Sequence, residues 1–190
     1  MDQIISVYLN SFLENKIIAE IVFIFADAPI FILPLFLVWF WLYYNKKWDL
    51  EWKNNMLLIF YSIVLWIIIN IIIQHIVFVD RPMTSLQNAW RLILTHIPDA
   101  SFPSDHATTS FAFVSGLFLF RFRKLFYVLL PIYLVMNLSR IMWWVHWPSD
   151  VLGWLVVWVL SSFVIFKHKN NKYLLKTNEF FIKIAKFIKL

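Results

Sequence analysis

The chain contains no cysteine and only two glycines, Gly116 and Gly153. The first absence excludes disulfides and thiolate metal sites and leaves the redox compartment unreadable. The second excludes a glycine-rich phosphate loop, which needs several glycines to wrap backbone amides around an anion. Charge is scarce as well: 15% of the 190 residues are charged, where a soluble domain carries about 25%. No HExxH or comparable local ligand set occurs. Met1, Asp2 and Gln3 offer no basic leader, and no small-residue cleavage site follows a compact apolar stretch, so a cleavable signal peptide is not expected.

What is present is apolar. Hydrophobic residues make up 62% of the chain and aromatics 20%, with a mean hydropathy of +0.72. Several runs exceed the ~20 residues needed to cross a bilayer. The expected fold is an all-α integral membrane protein of one domain. Transmembrane helices are expected near residues 21–44, 56–79, 104–120, 125–142 and 149–166. Pro29 and Pro34 each remove a backbone donor and are expected to kink the first. Residues 1–20 are too polar to span, but Ile4, Ile5, Tyr8, Leu9 and Phe12 can form the apolar stripe of an interfacial helix. Residues 167–190 interleave seven lysines with Leu, Phe and Ile. That basic amphipathic tail suits an anionic inner leaflet better than nucleic acid.

The placement of the +6 net charge orients the chain. Lys46, Lys47, Lys53, Arg121, Arg123, Lys124 and the tail lysines fall on one side of a five-helix chain. The other side keeps Lys16, Arg81, Arg91 and Arg140. The basic side is cytoplasmic by the positive-inside rule. The amino terminus is then outside and the carboxyl terminus inside.

Three short stretches carry chemistry, and all fall on the outer side. The first is Arg81-Pro82. The second is Pro103-Ser104-Asp105-His106, at the start of the third expected helix, with Pro103 suited to the first helical position. The amides and positive dipole end of a helix attract an anion. Ser104 can donate its hydroxyl to a phosphate oxygen, and His106 lies about one turn in, within reach of a bound ester. The third is Ser139-Arg140 with His146 and Asp150. The four-residue spacing lets the Asp150 carboxylate accept from one ring nitrogen of His146, leaving the other as an unprotonated nucleophile. Arg140 can turn a bidentate fork toward phosphate, and Arg81 can join it. The alternative reading makes Trp143, Trp144 and Trp147 an interfacial belt with Arg140 and His146 as headgroup anchors. It does not account for the paired His and Asp. A metal centre would have to draw on His75, His96, His106, His146, Asp80, Asp99, Asp105 and Asp150, but neighbouring arginines repel a divalent ion. No metal and no other cofactor is expected.

Taken together and in this order, these residues resemble the type 2 phosphatidic-acid-phosphatase superfamily of membrane lipid phosphatases, across roughly residues 74–153. Its third signature, Ser-Arg-x5-His-x3-Asp, is met in full by Ser139, Arg140, His146 and Asp150. Within the superfamily, the string from Ala100 to His106 and the run from Ser149 to Gly153 look most like bacterial undecaprenyl-diphosphatases of the bacitracin-resistance type. Two positions depart from the pattern. Gln74 stands where the first signature has a lysine, and Asp105 where the second usually has glycine. Gln74 can donate a hydrogen bond but brings no charge, which Arg91 could replace. Asp105 is tolerable beside a diphosphate only if its carboxylate is turned away or paired.

The resemblance implies a metal-free hydrolysis of undecaprenyl diphosphate on the outer face of a bacterial plasma membrane. His146 attacks the terminal phosphorus, Asp150 orients it, and His106 protonates the leaving group and then activates water. Arg81, Arg140 and Ser104 bind the phosphate, with Asp105 and Gln74 beside them. The expected partners are the polyprenyl diphosphate and the bilayer, with no nucleic acid. The rivals are a broader phosphatase acting on phosphatidate or phosphatidylglycerol phosphate, and a non-catalytic lipid-binding protein. A small transporter is a third, disfavoured because polar residues crowd the helix ends. Asp27, in the outer third of the first helix, can pair with an active-site arginine or snorkel outward.

Overall fold

A computed structural model describes residues 1–45, 50–82 and 100–187. These form α1 (Asp2–Ser11), α2 (Lys16–Asn45), α3 (Leu50–Ile76), α4 (Asp105–Leu119), α5 (Arg123–Met142), α6 (Pro148–Lys167) and α7 (Lys172–Phe187), with a 3₁₀ turn at Phe12–Glu14. There is no strand among the described residues. The chain is an all-α integral membrane protein. Among the described residues, α2, α3 and α5 are long and apolar enough to cross a bilayer. Their outward faces carry Ile32, Leu35, Val38, Ile68, Ile72, Val128 and Leu134, all exposed. Such a belt would aggregate in water and is at home in lipid.

The third expected span behaves differently. α4 has 15 residues, about 23 Å at 1.5 Å per residue, shorter than the ~30 Å hydrocarbon layer. It packs against α2, α3, α5 and α6, and every residue from Ser110 to Leu117 is buried. It is the enclosed axis of the bundle. The polar residues are also not confined to helix ends. Ser115 donates to Ser162 at 2.7 Å, and Asn137 donates to Ser110 at 3.1 Å, all buried. They tie α4 to α6 and α5 as interhelical hydrogen bonds do in lipid. The sequence argument against a transporter therefore loses its premise, although these groups pair with one another.

α2 starts five residues earlier than expected because Asn15 caps it, its Oδ1 accepting from the amides of Ile17 at 3.0 Å and Ile18 at 3.3 Å. The separate amino-terminal helix is therefore α1 alone, tied to the far end of α5. Asn10 donates to the Met142 carbonyl at 2.8 Å, and the Trp144 indole to the Ser6 carbonyl at 3.0 Å. α7 packs on α3 and exposes Tyr173, Phe180, Phe181, Ile184 and Phe187.

Gly116 marks a close approach of α4 to α3. A β-carbon there would lie 3.0 Å from Ile59 Cγ1 and 3.2 Å from Cγ2. Ile59 is fully buried and, being β-branched, has little rotamer freedom with which to retreat. Gly116→Val is therefore expected to destabilise the bundle by about 1–3 kcal/mol. A lowered unfolding midpoint in detergent would show it, and an unchanged midpoint would contradict this packing.

Candidate active site

The ends of α4, α5 and α6 converge on a buried cluster with Asp27 of α2. Arg140, on the last turn of α5, is at its centre and 4% exposed. Its Nη1 donates to Asp27 of α2 and lies 3.3 Å from His106 Nε2. Its Nη2 lies 3.5 Å from His146 Nε2. Asp27 Oδ1 is 3.0 Å from His106 Nε2. One guanidinium thus joins both histidines and a carboxylate, all nearly solvent-free.

His146 owes its position to how α5 stops. Trp144 takes φ 56, the left-handed conformation that usually calls for glycine at a helix end. Val145 N then donates back to the Arg140 carbonyl at 3.0 Å. Pro148 opens α6, where its missing N–H costs nothing. Between these stops the chain has only a short turn, and His146 is directed inward, 1% exposed.

The expected His146–Asp150 hydrogen bond is not made. His146 Nδ1 is 4.0 Å from Asp150 Oδ2, beyond hydrogen-bond reach. It is 2.8 Å from the Ser101 carbonyl instead. A carbonyl only accepts, so Nδ1 carries the proton and Nε2 is the unprotonated atom, as expected but through a different partner. Asp150 accepts from the Ser101 hydroxyl and, at 2.8 Å, from the Trp147 amide. The carboxylate fixes Ser101 and the start of α6, and so acts on the imidazole at one remove. The reason is local: within the first turn of α6, Asp150 is drawn to the unpaired Trp147 amide. Burial above all, and next the Arg140 and Arg81 guanidiniums and His106, hold the His146 pKa well below the ordinary imidazole value, while the Ser101 carbonyl pulls weakly the other way.

Ser104 is the N-cap of α4, so the helix begins at Asp105 and Pro103 precedes the cap rather than opening the helix. Ser104 Oγ accepts from Ala107 N at 3.4 Å, which leaves its hydroxyl hydrogen to donate. Arg81 is half-buried and donates to the Val145 carbonyl at 3.3 Å, against the turn that carries His146. Ser101 N donates to the Val79 carbonyl at 2.7 Å, drawing the Arg81 segment to the α4 entrance.

Gln74 and Asp105 meet between α3 and the start of α4. Gln74 donates to the Pro103 carbonyl at 3.0 Å and to Asp105 Oδ1 at 3.2 Å. Asn70 also donates to Asp105. The two departures from the expected pattern thus meet in one contact, and the carboxylate is held toward α3. Arg91, His96 and Asp99 lie outside the described residues. No group of three or more His, Asp or Glu among the described residues is placed to hold a metal ion. Sequence reasoning gave no role to Ser101, which works through its backbone carbonyl, and left open the partner of Asp27.

Residues 55–173 match the PAP2 superfamily. The chain is 32% identical over 156 residues to the undecaprenyl-diphosphatase BcrC of Bacillus subtilis, an alignment covering 81% of this chain and 76% of that protein. It is 30% identical over 156 residues to the bacitracin transport permease protein BcrC of Bacillus licheniformis, covering 80% and 72% respectively. No solved structure matches the chain.

Proposed function

The chain belongs to the PAP2 superfamily, and on that premise we propose that this membrane phosphatase hydrolyses undecaprenyl diphosphate to undecaprenyl phosphate and inorganic phosphate. The observation that carries the reading is the state of His146: a buried imidazole with Nδ1 committed to a carbonyl and Nε2 facing an arginine fork. Nε2 attacks the terminal phosphorus. The bond to the bridging oxygen breaks, its electron pair goes to that oxygen, and His106 supplies the proton. Arg140, Arg81 and the Ser104 hydroxyl bind the three outer oxygens as charge redistributes. Water then attacks the phosphohistidine, His106 takes its proton, and the P–N bond electrons return to Nε2. The arginines supply the positive charge, so no metal enters the reaction.

The proposed setting is a bacterial plasma membrane, with the site at the outer face and α7 on the cytoplasmic leaflet. The single domain would consist of an interfacial α1, the helical bundle and the basic tail. An apolar cleft of about 260 Å³ between α2 and α5, lined by Phe25, Pro29, Leu33, Phe36, Leu129 and Tyr133, starts one residue from Asp27. It offers hydrocarbon contact next to the charged cluster, which suits a polyprenyl chain.

The experiment that tests the substrate is comparative turnover of the purified protein on undecaprenyl diphosphate, phosphatidate and phosphatidylglycerol phosphate. The highest kcat/KM is expected on undecaprenyl diphosphate; preference for a monoester would replace it. A pH profile bears on the nucleophile. The neutral imidazole is the attacking form, and the lowered pKa keeps His146 neutral through the ordinary imidazole value of about 6.5. The acid limb of kcat/KM is therefore expected below pH 6.5, whereas a limb at or above 6.5 would contradict the environment described for His146.

A further inference from the structure

Asp27 belongs to none of the three motifs, yet it contacts two of their residues. It stands in α2 between Ala26 and Ala28 and is 3% exposed. A carboxylate within a membrane helix costs several kcal/mol unless partnered. Its partners here are Arg140 and His106. The distances assign the imidazole proton. His106 Nε2 is 3.0 Å from the carboxylate and 3.3 Å from the guanidinium. A carboxylate only accepts and a guanidinium only donates, so a proton on Nε2 serves the nearer group. Nδ1 is then the ring atom left to exchange protons.

We infer that Asp27 is a positioning residue for His106, felt most in the second half of the reaction because a phosphate leaving group needs little help from an acid: it fixes the Nε2–H tautomer of His106 and steadies one arm of Arg140, so that His106 Nδ1 can take the proton of the attacking water. In that step the water oxygen bonds to phosphorus as the P–N bond to His146 breaks, and the proton rests on Nδ1. The carboxylate then faces an imidazolium. This arrangement is separate from the Asp150–Ser101 support behind His146, and it joins α2 to a site otherwise built from α4 to α6 and the Arg81 segment.

The inference rests on the phosphohistidine reading, and one experiment separates their failures. Purified wild type, Asp27→Asn and Asp27→Glu would be given undecaprenyl diphosphate labelled with ³²P in its terminal phosphate, quenched at steady state, and assayed for released phosphate and for alkali-stable, acid-labile label on protein. Asp27→Asn is expected to lower kcat by about 100-fold, while the labelled fraction of the protein rises because water attack has slowed. Asp27→Glu, which keeps the charge, is expected to recover part of the rate. An unchanged kcat, or a kcat and a labelled fraction that fall together, would overturn the positioning role; a merely structural defect gives the second pattern. If Asp27→Asn does not fold, Asp27→Glu carries the test: lowered kcat with raised label supports the role, and any other result overturns it. No release by the wild type, or release without labelled protein, would instead be a failure of the phosphohistidine reading.

Discussion

His146→Ala is expected to abolish phosphate release, lowering kcat by about 10⁴-fold or more. The loss is larger than for any other residue of the cluster because His146 would form and break the bond to phosphorus. Arginines can be partly compensated by one another, but among the described residues no second imidazole is placed to take over. His106 Nε2 is engaged with Asp27 and Arg140, and His75 is exposed, its Nδ1 2.7 Å from the Ile71 carbonyl one turn back on α3. The variant is expected to fold, because the turn from Trp143 to Trp147 is held by backbone bonds to α5 and by Asp150 rather than by the imidazole. Retention of more than a few per cent of wild-type turnover by folded His146→Ala would rule out this nucleophile.

Arg140→Leu is the second large expected effect, and it falls on stability as well as rate. The guanidinium is the counter-charge of Asp27, and both are almost fully buried. Removing it leaves a buried carboxylate with only the His106 imidazole beside it and no permanent counter-charge, a change that costs about 3–5 kcal/mol in comparable buried pairs. The same substitution removes the fork proposed to hold the transferring phosphoryl group, worth about 10²–10³-fold in kcat. The two effects separate in the double variant. Adding Asp27→Asn to Arg140→Leu removes the uncompensated charge, so the unfolding midpoint should recover while turnover stays low. A double variant no more stable than Arg140→Leu would mean that Asp27 and Arg140 are not energetically coupled. Arg140→Lys is expected to fold better than the leucine variant but to recover little rate, because a point charge cannot reach Asp27, His106 and His146 together.

The residues proposed to carry the chemistry are legible in the sequence because their side chains sit at or between helix ends. The spacing of Arg140, His146 and Asp150 correctly forecasts a turn between two helices, with Pro148 marking the second. What stayed hidden was carried by the backbone or by distant partners. Nothing in the side chain of Ser101 announces that its carbonyl holds His146, so the four-residue spacing alone points to a direct His–Asp bond. Asp27 was conspicuous as a lone charge in an apolar run, but its partner lies 113 residues away along the chain. Along the sequence Gln74 and Asp105 are separate departures with separate consequences, although they touch. The early start of α2 follows from one cap, Asn15, which polarity alone placed in the preceding interfacial helix. The enclosure of α4 is a packing outcome: hydropathy does not distinguish an apolar helix that meets lipid from one sheathed by its neighbours.

The most direct test of the account is to give the wild-type protein undecaprenyl diphosphate carrying ³²P in the terminal phosphate, with excess EDTA present, and to locate any covalent label by mass spectrometry after an alkaline quench. The account predicts phosphate release undiminished by the chelator and a transient phosphoryl group on His146. Release that stops in EDTA and returns with a divalent metal, or label on a residue other than His146, would contradict it.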